Sequence, residues 1–302
     1  MQRGIDWGRV MLIGIPFIWL FVFFLLPFGI VLKIALSDFV NALPPYTPTL
    51  DWSAGLAGFT DFFSKLDFES FQWLLDDKIY ILSYLESLKI ALISTFFTLL
   101  IGYPMAYALA KSPQSWRTIL LMLVILPFWT SFLIRVYAWI GILKPEGLLN
   151  SALMGMGLID EPLSILNTTT AVYIGIVYSY LPFLVLPLYA SLEKLDHTLL
   201  EAALDLGCSP VKAFWQVTFP LSLPGVVAGS FLVFIPAMGE FVIPDLLGGS
   251  ETLMIGKTLW NEFFSNRDWP VASAVAVVLL LSLVIPILIF QRMQERQQEA
   301  ES

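Results

Sequence analysis

Six long stretches without a charged residue constrain this chain more than any other feature. They cover residues 10–32, 90–110, 118–134, 162–192, 213–239 and 269–291. A hydrocarbon core of about 30 Å is crossed by roughly 20 apolar residues in a helix, which satisfies its own backbone hydrogen bonds. The chain has 302 residues, of which 58% are hydrophobic and 13% charged, against about 25% charged in ordinary globular domains. Too little polar surface remains to cover a water-soluble body of this size, which excludes a soluble enzyme and a disordered chain. The net charge of −8 has the wrong sign for a nucleic-acid partner. One cysteine and one histidine exclude an internal disulfide, a multi-cysteine metal site and a histidine-built catalytic centre. No catalytic residue, metal ligand or cofactor of its own is assigned to the chain.

The expected fold is an all-α integral membrane domain spanning 1–302. Its six transmembrane helices fall at 10–32, 90–110, 118–141, 168–192, 218–243 and 269–291. Arg3 and Arg9 precede the first span as in a secretory leader, but 23 uncharged residues exceed a leader's apolar region and no small-residue cleavage site follows. The first helix is therefore expected to be retained. Basic residues are denser in the loops that an inside N-terminus makes cytoplasmic (Arg3, Arg9, Lys111, Arg117, Lys194, Lys212, Arg292, Arg296), so both termini are expected inside. On that topology 15 of the 24 acidic residues lie outside. The largest outer piece, 33–89, is acidic and aromatic. Its Phe59, Phe62 and Phe63 recur at helical spacing, which predicts short amphipathic helices on the membrane surface. The run 147–159 is too short to span and reads as interfacial or re-entrant.

The inner loop 193–217 carries the motif with the most chemistry. Thr198 and Glu201 stand three apart, as in a capping box. Leu199, Leu200, Ala203 and Leu204 make an apolar stripe. Gly207 ends the helix, because it accepts a left-handed φ without penalty. Ser209 and Pro210 restart the chain as N-cap and first helical residue. The reading is a short cytoplasmic helix, an elbow and the next span.

Glu201-Ala202-Ala203, Gly207, Val217 and Phe219-Pro220 resemble the EAA loop of ABC-importer permeases, EAA-x3-G-x9-I-x-L-P, with conservative replacements at Val217 and Phe219. Further segments are similar to the putrescine and spermidine permeases, and among them to the first permease subunit of putrescine importers. They are Leu43-Pro44-Pro45-Tyr46, 126–139, 239–249 and Asn266-Arg267-Asp268-Trp269-Pro270. The resemblance implies a MetI-like permease in a bacterial inner membrane. It implies that Glu201, Ala202, Ala203, Asp205, Gly207 and Pro220 couple to a separate ATPase, which holds ATP and Mg. The implied partners are a second permease subunit, two ATPase copies and a periplasmic polyamine-binding protein. The alternatives are a permease for another small solute, or an ion-gradient-driven transporter.

Five residues are candidates for the substrate pathway: Glu240, Asp245, Trp129, Tyr137 and Tyr178. A carboxylate near the membrane is costly unless it faces water or a partner, so Glu240 either meets a cationic substrate or makes a structural hydrogen bond or salt bridge, with Arg135 as a candidate. Trp129, Tyr137, Trp139, Tyr178 and Tyr180 offer ring faces to ammonium groups, although such residues also populate membrane interfaces. Pro127, Pro182, Pro187 and Pro236 interrupt helices where bundle packing can re-satisfy the backbone, and they are expected to shape a pathway rather than to bind. Gly256-Lys257-Thr258 is no phosphate loop, because Glu251 stands where its first glycine belongs. Asn167-Thr168-Thr169 matches a glycosylation sequon by a pattern that is common by chance.

Overall fold

The computed structural model describes residues 7–49, 53, 55–250 and 252–301. Arg3, Asp51, Trp52 and Glu251 lie outside the described residues, as do the side chains of Arg9, Phe59, His197 and Arg296. The chain forms two compact units, Met1–Ile81 with Thr258–Ser302, and Leu82–Lys257.

The first unit opens with the helix Trp7–Leu20, which continues through a π-helical turn at Phe21–Leu25 into Leu26–Ala35. From Ile15 to Leu26 every side chain is exposed, so this apolar rod has a surface suited to lipid or another subunit. The segment 33–89 holds the helices Gly55–Ser64 and Glu69–Asp76, in line with the helical spacing. It also holds a two-residue antiparallel ladder, Asp38 opposite Thr47 and Phe39 opposite Tyr46, which no periodicity announced. The Leu26–Ala35 and Glu69–Asp76 helices pack on the last helix, Trp269–Glu301. The Phe263 and Trp269 rings stack at 5.0 Å, and Lys33 Nζ sits 4.1 Å above the Tyr46 ring. Beside the ladder the carboxylate oxygens of Asp38, Asp67 and Glu69 lie within 4.8 Å of one another. Burial, and then the charge of Asp67, push the Asp38 carboxyl above its ordinary range.

The second unit contains most of the helix Lys78–Lys111. Charge-based reading placed its start at residue 90, but the helix begins twelve residues earlier. Lys89 is exposed and Glu86 half-buried, and they pair at 3.1 Å. Ser87, Ile90, Ala91, Ser94 and Thr98 form the buried face. A helix of this kind tolerates charge at one end while burying a small-residue stripe along its length.

The continuous span expected at 118–141 is broken. The helix Gln114–Ile125 tightens into a 3-10 turn, Leu126–Trp129, and restarts at Phe132–Leu143. The two arms, Gln114–Trp129 and Phe132–Gly155, are bent by 90°. Pro127 cannot donate to the ladder, and Thr130 and Ser131 are extended, with the Thr130 hydroxyl donating to the Pro127 carbonyl at 2.8 Å. The 147–159 run contributes the short helix Leu148–Gly155 to the second arm.

The core of this unit is the pair Thr169–Glu193 and Phe219–Met238. Gly225 and Gly229 stand four apart and let the backbones meet. A Cβ at Gly225 would lie 2.5 Å from Ser191 Cβ, and one at Gly229 2.9 Å from the Leu184 carbonyl oxygen. Leu184, Val185, Leu188, Val226 and Val233 fill the seam. Pro182, Pro187, Pro224 and Pro236 sit inside these helices, where neighbouring groups can take up the freed carbonyls. The helix expected over 218–243 instead starts at Pro210 and ends at Met238. Gly239 and Glu240 interrupt it before a further turn, Val242–Leu246.

Candidate functional site

Two regions of the second unit concentrate the candidate residues. The first is the 193–217 loop. It folds as the helix His197–Asp205, an elbow, and a second helix from Pro210. The capping box does not form. Asp196 is the N-cap instead, its carboxylate accepting the Thr198 N–H at 2.9 Å. A carboxylate at this position also complements the positive end of the helix dipole, and a cap two residues earlier than Thr198 carries Glu201 beyond the first turn. Gly207 has φ +83°. The Cys208 N–H reaches the Ala203 carbonyl at 3.0 Å and the Gly207 N–H reaches Leu204 at 2.9 Å, a glycine-terminated helix end. Ser209 caps the next helix through the Lys212 N–H, with Pro210 behind it.

Leu200 turns inward against Tyr107, Leu192, Leu195, Val217 and Leu221 around a cavity of about 30 Å³. The opposite side is open: Glu201, Ala202, Asp205, Gly207 and Pro220 are exposed and Ala203 is half-buried. Beside them Leu206 is 87% exposed, Val211 69% and Trp215 59%. An acidic and apolar patch therefore projects from a rigid elbow. At the base of the loop the Arg117 guanidinium donates to Glu193 at 2.7 Å and to the carbonyls of Ala110 and Ser112.

The second region is a cavity of about 510 Å³. The break after Trp129 brings Phe128, Phe132 and Arg135 to one wall. The Thr169–Glu193 helix contributes Ser179, Tyr180 and Phe183, and the end of the Phe219–Met238 helix contributes Glu240 and Phe241. Glu240 is 6% exposed. Its Oε1 accepts the N–H groups of Phe241, Val242 and Ile243 at 3.2, 3.0 and 3.4 Å, and its Oε2 accepts the Tyr180 hydroxyl. Of the two uses expected for Glu240, the geometry provides the structural hydrogen bond. Its partners are backbone and Tyr180, and no Glu240–Arg135 salt bridge occurs among the described residues.

The remaining candidates are dispersed. Trp129 is 78% exposed and Tyr137 is also exposed. Tyr178 packs edge-on against Trp139 at 5.3 Å, and Asp245 pairs with Lys257 at 3.3 Å. None of these lines the cavity. Phe128, Phe132, Phe183 and Phe241 line it without having been candidates. Tyr180 and Phe183 share a helix face at i, i+3, a signal available in the sequence. Phe128 and Phe132 are joined only by the break, which periodicity does not show.

The sequence profile described as "Binding-protein-dependent transport system inner membrane component" matches residues 5–298. The chain belongs to this family. Its members are transport subunits, so the chain is a multi-pass inner-membrane permease and not an enzyme. The chain is 46% identical to the spermidine/putrescine transport system permease protein PotB of Escherichia coli K12, over 216 residues that cover 72% of this chain and 78% of that one. It is 47% identical to PotB of Salmonella typhi, covering 72% and 75%. Among solved structures, a chain of a bacterial alginate ABC transporter superposes with a TM-score of 0.70 at 17% identity, covering 96% of this chain and 95% of that chain. A chain of the MetNI methionine ABC transporter gives 0.52 at 20% identity, covering 78% and 99%. Both show that the helices adopt the fold of ABC-importer permeases.

Proposed function

We propose that the chain is one of two transmembrane subunits of an ATP-driven importer that carries putrescine and related polyamines across the bacterial inner membrane. The identity to the spermidine/putrescine permeases supports the substrate class, with putrescine as the expected cargo. The partners are a second permease subunit, two ATPase subunits that hold ATP and Mg, and a periplasmic polyamine-binding protein. Six crossings would put both termini on one side of the membrane, and the density of basic residues supports the cytoplasm as the side of the termini and the elbow.

The observation that carries the reading is the elbow itself. Its helix is fixed at both ends by Asp196 and Gly207, anchored inward by Leu200, and exposes Glu201, Asp205, Leu206, Val211 and Trp215. An exposed apolar patch rimmed by polar groups marks a protein interface. The elbow runs without a break into the Pro210–Met238 helix, whose far end reaches Glu240 and the aromatic cavity. ATPase closure would pull the His197–Asp205 helix and move the cavity wall through one rigid element, giving alternating access. In this reading the cavity of Phe128, Tyr180, Phe183 and Glu240 belongs to the pathway, and Trp129, Tyr137, Tyr178 and Asp245 lie outside its wall.

Uptake of labelled putrescine by proteoliposomes that contain the whole transporter and its binding protein tests this. Gly207→Val and Glu201→Lys are expected to abolish uptake while leaving the chain in the membrane. Normal uptake in both variants would refute the coupling role. Competition by unlabelled spermidine and putrescine orders the substrates.

A further inference from the structure

The aromatic cavity already contains a cation. The Arg135 guanidinium carbon lies 5.2 Å from the Phe128 ring centroid and 5.7 Å from that of Phe132. Its Nε is buried and has no hydrogen-bond partner. The nearby carboxylate does not hold it: both Glu240 oxygens are engaged, by three backbone N–H groups and by the Tyr180 hydroxyl. A guanidinium over two ring faces with an unmet N–H is held by cation–π attraction and general field, without a directional bond. These are the interactions that a substrate ammonium would find in the same place. Arg135 is also tethered one turn into the Phe132–Leu143 helix, immediately after the 90° break, so a change at the break would carry it in or out of the cavity.

We infer that Arg135 is a specificity residue that occupies the cavity's ammonium seat when no substrate is present, and that an incoming polyamine must displace its guanidinium from the Phe128 and Phe132 rings. The inference rests on reading the cavity as part of the polyamine pathway. A tethered cation there keeps small inorganic cations out by like-charge repulsion. A diamine overcomes it because its methylene chain packs against the Phe128, Tyr180 and Phe183 rings while an ammonium group takes the seat, contacts that a small hydrated ion does not make.

Equilibrium binding of labelled putrescine to the assembled transporter in detergent, without binding protein, tests the idea. Arg135→Gln removes the charge and is expected to bind putrescine about tenfold more tightly than wild type. Arg135→Lys keeps a charge and is expected to stay near wild type. Phe183→Ala, which removes a ring packed edge-on against Phe128 at 5.1 Å, is expected to weaken binding. If Phe183→Ala weakens binding but Arg135→Gln leaves it unchanged or weaker, the cavity is the pathway and the role of Arg135 is overturned. If neither variant alters binding, the pathway reading fails and the inference falls with it. Co-purification of the ATPase subunits reports whether each variant has assembled.

Discussion

At the scale of single residues, Glu240 shows how a charge is retained in an apolar setting. Its carboxylate serves as a cap for the chain turning at Gly239, taking three N–H groups that would otherwise be unmet. An unsatisfied buried donor costs about 1–3 kcal/mol. Glu240→Ala is therefore expected to lower the thermal midpoint of the solubilised transporter, by an amount corresponding to about 1–3 kcal/mol. Glu240→Gln keeps an acceptor oxygen, and its uptake is expected to stay within about twofold of wild type. Uptake lost in the Gln variant with assembly intact would restore the charge to a substrate role. The residue was visible in the sequence as a lone carboxylate in an apolar stretch. Its partner Tyr180 is 60 residues away, and only the packing of two helices joins them.

Asp38 poses the opposite problem. Its Oδ1 is buried without a hydrogen-bond partner, and burial together with Asp67 raises its pKa. An acid whose folded pKa is raised holds its proton more tightly in the folded state, so it stabilises below that pKa and the contribution is lost as pH rises through it. Asp38→Asn is expected to raise the unfolding midpoint at pH 7. The gain should shrink as pH falls through the raised pKa towards the ordinary value of about 3.9. A pH-independent difference would show that Asp38 is not titrating in that window.

At the scale of elements, glycines set which helices touch. Gly225 and Gly229 stand four apart in an apolar stretch, and they lie against Ser191 and Leu184. Overpacking costs about 1–3 kcal/mol. Gly229→Ala meets a backbone oxygen that cannot yield, and it should destabilise the solubilised complex by about that much. Gly225→Ala meets a Cβ, so adding Ser191→Gly should recover most of its loss. A strictly additive double variant in thermal unfolding would show that the two positions are not coupled.

Elements also mark where sequence reasoning reached its limit. The elbow was readable from Gly207 and Ser209-Pro210 because these residues act locally, through φ and through capping. The capping box was misplaced because Asp196, two residues before Thr198, is the better acceptor. Pro127 marked an interruption in the third span, but not that the chain turns by 90° there, because hydropathy does not distinguish a kinked span from a broken one. The Asp38–Thr47 ladder, with two residues to a strand, is too short to carry alternation.

At the scale of the whole molecule, the net charge of −8 acquires meaning only with a topology, and the chain carries its own probe for one. Cys208 is the single cysteine. It stands beside Gly207 in the elbow, half-buried, with only a long contact of 4.0 Å to Gln216. A membrane-impermeant maleimide should label it in inside-out vesicles and not in right-side-out ones. In a Cys208→Ser background, Glu161→Cys should show the reverse, because the acidic loops are expected outside. The same thiol reports assembly. ATPase subunits seated on Leu206, Val211 and Trp215 should cover the elbow, so labelling in inside-out vesicles should fall when they are present and recover when they are stripped. Equal labelling with and without the ATPase would move the docking surface away from the elbow. Labelling of Cys208 from the outside would invert the topology and with it the acidic outer face, leaving the polyamine assignment to stand on sequence identity alone.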